Sequence, residues 1–394
     1  MSSLNALDKR FFSKEFNMLL LLLRSGRTVT FEEAWEQSQQ LDWNEFLSYV
    51  GYHHVNPVVY PLLKRLNDER QFVPPAIMQK MSQYFMKNTY EMLHLRGEME
   101  RIIQLLEGRG IRSLMLKGPV LAALLYGDIS GRTSKDLDIL VPKADIKRTE
   151  MLLMEEGYRL SEDTPLLLHN TERKTHHLSY FHYEKGIEIE LHWRLNPDTI
   201  QEPDFEQLWA RRQASSLHPS VHSLGNEDLF LYLVLHGTRH GWSCLRWLLD
   251  IDRIVAKPLA GDTIQQLLQI YRGRDLIGLA FVLARELLGT KLPDALAPMS
   301  ASRKADKLAP YVLIFMRERA ILHPKPEKRD IAIHYNRYML ATMPFSQKGL
   351  YLLNKIYPSS WDAEVLPLPK ALHFLYFPLR PFLWIWRQMK RQSI

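Results

Sequence analysis

The sequence predicts an α+β protein in which a small mixed β-sheet is embedded in a mostly helical chain. Two observations carry this. Between about residues 111 and 195, short apolar runs that stop at glycine or proline alternate with a helical spacing of apolar positions. On either side of that stretch the apolar residues recur at intervals of three and four, and the breakers are few.

Residues 1–110 read as helices. Met18 to Leu23, "MLLLLL", is too short for a signal peptide and is followed by no small-residue cleavage site, so it reads as one buried helix face. Thr30 and Glu33 make a capping box ahead of "FEEAWEQSQQL", and Asp42 can cap "WNEFLSYVGYHH". Pro75 suits a first helical position, and no breaker follows until Gly108 and Gly110, so one long helix is expected there.

The period changes at Ile111. "IRSLMLKG" is a short strand ended by glycine, "PVLAALLYG" a helix opened by proline, and "DLDILVP" a strand stopped by Pro142. A helix ending at Gly157 follows, and then "HHLSYFHY" and "IEIELHWRL" flank "EKG", a hairpin signal. After Pro197 helices return, with Asn226 as a cap for "EDLFLYLVLHGTRHG" and a helix pair in "DTIQQLLQIYRGRDLIGLAFVLARELLG". The chain thus divides into an N-terminal helical region (1–110), an α/β core (111–200), a helical domain completing the cleft (201–300) and a C-terminal helical extension (301–394). In the last of these, "ALHFLYFPLRPFLWIWRQMKR" is aromatic and basic. Pro378, Arg380 and Pro381 break it up, which argues against a spanning helix and leaves docking on the protein body or weak contact with a membrane surface.

At 394 residues with 46% hydrophobic and 24% charged residues, the chain has ample core and is not a disordered one. Lysine and arginine exceed acids by 51 − 44 = +7, a surplus that favours phosphate-bearing partners without implying nucleic acid. A lone cysteine, Cys244, excludes an internal disulfide and a cysteine-based zinc cluster, and suits a cytoplasmic setting.

The chemistry concentrates in "SKDLDILV". Residues two apart on a strand share a face, so Asp136 and Asp138 project together while Leu137 and Ile139 enter the core. Two carboxylates so close repel unless a cation lies between them, and magnesium takes just such oxygen ligands. Lys117 and Gly118 form a strand-to-helix turn where backbone amides and an ammonium favour phosphate. Arg132 and Ser134 stand just upstream of the aspartates, placed to hold triphosphate oxygens. Glu188, Glu190 and His192 share one strand face. Glu190 is the expected third acid of a two-metal site, with Glu188 the alternative.

The ordered set "LMLKGPVLAALLYG", "DLDILV", a helix ending "GY" and "IEIELHW" resembles the uncharacterised nucleotidyltransferase family within the DNA polymerase β-like superfamily. "LHGTRHGWSCLRWLLDID" is similar to that family's helical region, and the likeness spans roughly residues 90–255. It implies a small flanked sheet and two Mg2+ ions, with Mn2+ as a substitute, held by Asp136, Asp138 and Glu190. It also implies transfer of a nucleoside monophosphate from an NTP, ATP being the first expected, to an acceptor the sequence does not identify; with no basic, aromatic-interleaved stretch near the α/β core, a small molecule, sugar or peptide is expected before a nucleic acid. The superfamily's usual Gly-Ser pair is here Lys117-Gly118, and its frequent third Asp is Glu190.

Across the cleft, His236, Arg239 and His240 are expected to touch nucleotide or acceptor. His236 and His240 lie one helical turn apart, but no third ligand is spaced to complete a zinc site. Trp242, Trp247 and Asp250 read as packing and helix-end residues. Two rival classes remain: metal-dependent glycosyl transfer from a nucleotide sugar, disfavoured because the upstream region is helical, and a non-catalytic interaction protein that keeps the fold, disfavoured because all three acids are present.

Overall fold

The computed structural model describes residues 12–161, 176–197, 201–271, 273–322, 326, 328–344, 348–349, 362 and 365–390. Helices α1 (Lys14–Leu22), α2 (Phe31–Ser38), α3 (Trp43–Tyr52) and α4 (Asn56–Glu69) precede the 34-residue α5 (Pro75–Gly108). The caps are those the sequence dictates. Thr30 and Glu33 form a reciprocal capping box, and Asp42 accepts from the amides of Asn44 and Glu45. The run Met18–Leu23 is buried more widely than on one face, with Met18, Leu19, Leu20, Leu22 and Leu23 all inside and Leu21 half-buried.

The sheet is mixed and has seven strands in the order β3-β4-β5-β2-β1-β7-β6. These are β1 (Leu114–Met115), β2 (Asp136–Leu140), β3 (Arg159–Leu160), β4 (His177–His182), β5 (Ile187–His192), β6 (Gln213–Ala214) and β7 (His222–Ser223). The expected hairpin is β4–β5. The less obvious pairing is that of β5 with β2, parallel and in the register Asp136 to Glu188, Asp138 to Glu190 and Leu140 to His192. Strands β6 and β7 fall in a stretch read as helical, and they extend the sheet beyond β1. Two residues per strand are too few for any period to show.

Alternation divides the sheet into two unlike faces. Leu137, Ile139, Val141, Ile187, Ile189 and Leu191 point into an apolar core shared with Met92, Leu95, Met99 and Ile102 of α5. The opposite face carries the acids and lies toward a second, larger core built by the N-terminal helices and by α9 (Asn226–Arg239), α10 (Leu245–Ile254), α11 (Gly261–Tyr271), α12 (Arg274–Leu283), α13 (Arg303–Arg317) and α14 (Arg329–Thr342).

Two local expectations change. Asn226 is the first residue of α9 rather than its cap, and its side chain donates to the Pro258 carbonyl instead. The aromatic C-terminal segment forms a continuous helix through Pro381, Tyr376–Lys390, whose Phe382 and Trp386 are exposed. Proline there falls within the second turn, where the missing N–H removes one hydrogen bond without ending the helix. No helix among the described residues is long and apolar enough to cross a membrane.

Candidate functional site

Gly118 leaves β1 with φ +76° and opens α6 (Pro119–Tyr126). A side chain there would be strained by the positive φ, while its Cβ would meet the Asp136 carbonyl only at ordinary contact distance, so it is the backbone conformation that calls for glycine. Lys117, just before it, is nearly buried and holds its Nζ 2.9 Å from Asp138 Oδ1. Burial opposes the ammonium charge, but the carboxylate of Asp138 outweighs it and raises the lysine pKa.

Asp138 is fully buried, and on the next strand Glu190 and His192 close around it. His192 Nε2 lies 3.3 Å from Asp138 Oδ1 and 3.2 Å from Glu190 Oε2. Lys117 Nζ and His192 Nε2 both stand against Asp138 Oδ1, while its buried Oδ2 has no hydrogen-bond partner among the described residues. Burial disfavours charge on His192, yet the carboxylates of Asp138 and Glu190 prevail and hold it at about 9. Burial likewise opposes the Glu190 carboxylate, but the hydrogen bond and charge of His192, then His177 and Lys117, bring it down to about 2.

The hairpin adds two histidines. Antiparallel pairing sets His177 opposite His192 with ring centroids 4.9 Å apart, and places His177 Nε2 3.6 Å from Glu190 Oε1. Burial and the neighbouring His192 push His177 down to about 4, and the same two causes with Arg239 push His176 far down. Ligand atoms of Asp138, Glu190 and His192 all lie within 4.8 Å of one another, as do those of His176, His177 and His192. The donor set fits a divalent cation: two carboxylates and neutralisable imidazoles converge, and the buried Asp138 Oδ2 lacks a hydrogen-bond partner among the described residues.

Asp136 sits at the half-buried mouth of the same face, and Ser134 Oγ leans toward its carbonyl and Oδ1 at 3.3 and 3.4 Å. Glu188 is its partner across β5, one step farther out than Glu190. Arg132 departs from expectation. Its Nε and Nη2 grip Asp250 at 2.9 Å each and its Nη1 donates to the Thr133 carbonyl, all buried. A guanidinium so committed anchors the loop and is not placed to hold a triphosphate. Asp250 accordingly does more than end a helix, since Tyr126 also donates to it at 2.9 Å.

Helix α9 borders the acidic face. Arg239 Nη1 donates to His176 Nε2 at 3.0 Å, tying this helix to the start of β4. The rings of His236 and His240 lie tilted to each other 4.5 Å apart beside Trp247, and burial with the charge of Lys117 lowers the His236 pKa well below its ordinary value. No metal-binding group includes either histidine among the described residues. Sequence reasoning missed Tyr232, whose hydroxyl is raised by burial and the nearby acids, and Arg246, whose Nη1 donates to Thr133. It gave no role to His176 and His177. The signal for those two was the hairpin register, which can be counted back from "EKG".

A family model for uncharacterised nucleotidyltransferases matches residues 39–289. The chain belongs to that family. The match takes in every strand of the sheet and reaches from α3 to the end of the helix pair α11–α12, well beyond the 90–255 span of the sequence likeness. Family membership therefore joins the acidic strands and the α9 wall in one unit. No curated protein matches the chain.

Proposed function

We propose that the protein transfers a nucleoside monophosphate from an NTP to an acceptor hydroxyl with release of pyrophosphate. The observation that carries this is the convergence of Asp138, Glu190 and His192 in a buried, cation-seeking cluster directly beside Lys117, within a chain of the nucleotidyltransferase family. The acceptor oxygen attacks the α-phosphorus, the bond to the pyrophosphate oxygen breaks, and the hydroxyl proton is lost.

Asp136, Asp138 and Glu190 would hold divalent ions, which when bound lower the pKa of the hydroxyl and offset triphosphate charge. Lys117 and the amides of the first turn of α6 beyond Pro119, which itself has no N–H, orient the phosphates. Ser134 and Asp136 shape the mouth. His236, Arg239 and His240 form the opposite wall against base or acceptor, and Arg132, through Asp250, fixes the loop that aims the aspartates. Catalysis of this kind rests on positioning and charge stabilisation. ATP is the first donor to try, with Mg2+ as the first ion and a cytoplasmic setting. The exposed Phe382 and Trp386 support weak membrane-surface contact by the C-terminal helix.

The direct test is pyrophosphate release from each of the four NTPs with Mg2+ or Mn2+ and a small-molecule extract as acceptor source. Consumption of one NTP, lost in Asp136→Asn, supports the reading. If no NTP is consumed with any extract, the reading fails.

A further inference from the structure

The acids alone would make an all-oxygen site suited to magnesium. The three strands supply something else. From β5, His192 Nε2 lies 3.3 Å from Asp138 Oδ1 and 3.2 Å from Glu190 Oε2. From β4, His177 Nε2 lies 3.6 Å from the other Glu190 oxygen, Oε1. Donors that share one ion at bond lengths of about 2.1 Å stand roughly 3–3.4 Å apart, so this spacing is close to that of ligands to a common centre. His192 is buried, and a third imidazole, that of His176, backs it at 5.3 Å.

We infer that His192 Nε2 is a direct ligand of the ion held by Asp138 and Glu190, with His177 Nε2 as a further donor, so that the centre selects a borderline transition ion over Mg2+. Imidazole nitrogen adds little to magnesium affinity but much to that of ions from Mn2+ to Zn2+, whose affinity for such sites rises from Mn2+ to a maximum at Cu2+. His177 is suited to the part by position, since strand pairing sets it opposite His192 with its Nε2 toward Glu190 Oε1. The inference rests on the proposed nucleotidyl transfer only for the reason the ion is there. The alternative is an imidazolium on His192 that acts as an internal counter-charge to both carboxylates and never meets metal.

Electron spin-echo modulation of the full-length protein loaded with Mn2+, alone and with tripolyphosphate, separates these. Imidazole nitrogen coupling is expected, and it should change pattern when the protein is made with 15N-histidine, a comparison that needs no variant. His177→Gln, on a partly exposed side chain, should weaken Mn2+ and Zn2+ binding about tenfold and leave Mg2+ binding within about twofold. Mn2+ that binds in an Asp138-dependent way without nitrogen coupling overturns the inference, as does the absence of any Asp138-dependent Mn2+ binding under both conditions. Nucleotide turnover is scored separately. Nitrogen coupling without consumption of any NTP would leave the metal assignment standing and remove the transfer reaction, whereas turnover without coupling would do the reverse.

Discussion

Two buried aspartates in this protein are treated in opposite ways. Asp250, on α10, is saturated: Arg132 grips it with two nitrogens and Tyr126 donates a hydroxyl hydrogen bond. Asp138, on β2, is equally buried, with Lys117 and His192 against its Oδ1 but no hydrogen-bond partner for its Oδ2 among the described residues, and it shares its surroundings with Glu190. A buried carboxylate left short of donors costs several kcal/mol unless a cation supplies the difference. Asp250 holds the chain together, whereas Asp138 stands in a group of ligand atoms that could hold a metal ion. Glu98 on α5 belongs with Asp250, since Tyr158, Lys185 and Arg101 all donate to it and join the long helix to the β4–β5 hairpin.

The contrast can be broken by substitution. Asp138→Asn should lower pyrophosphate release by on the order of 10³-fold or more while lowering the unfolding midpoint less than Asp250→Ala does, because Glu190 remains as a counter-charge to Lys117 and His192. Loss of the fold in this variant would erase the distinction. Asp250→Ala should do the reverse and destabilise the protein by about 3–5 kcal/mol in urea unfolding, since Arg132 is left charged and buried. An unchanged midpoint would show that the Arg132 pair contributes nothing.

Glu98→Gln should cost about 1–3 kcal/mol at neutral pH. Burial opposes its charge, but its hydrogen bonds to Arg101, Lys185 and Tyr158 hold the carboxyl at about 2 against an ordinary 4.5. Its contribution is therefore whole above pH 4.5 and fades as pH falls toward 2, so the gap between wild type and variant should be narrower at pH 3 than at pH 7. A gap that widens on acidification would contradict this. The smallest effect is expected for Lys117→Met, about a tenfold weaker NTP affinity by nucleotide displacement, because one charge-assisted phosphate contact is lost.

Much of the site could be read from the chain. The period-two pattern of "DLDILV" and "IEIELHW" put the acids on one face of each strand, and the "EKG" turn fixed the hairpin, because side-chain alternation and turn chemistry are local properties. The Thr30 capping box, the Asp42 cap and the full length of α5 were legible for the same reason. The two short strands β6 and β7 were not, since two residues carry no period.

The sequence by itself thus determined which residues share a face, and that the face is acidic. Only the tertiary structure decided which faces meet. Parallel pairing of β5 with β2 set Glu190 and His192 beside Asp138, at a separation in sequence over which no local preference acts. Packing of α10 against the loop before β2 turned Arg132 from a candidate phosphate ligand into the partner of Asp250, 118 residues away. Folding brought His177 to the acidic cluster by the same means, because a carboxylate or imidazole takes its role from whatever charge lies within a few ångströms of it, and long-range pairing sets that neighbourhood.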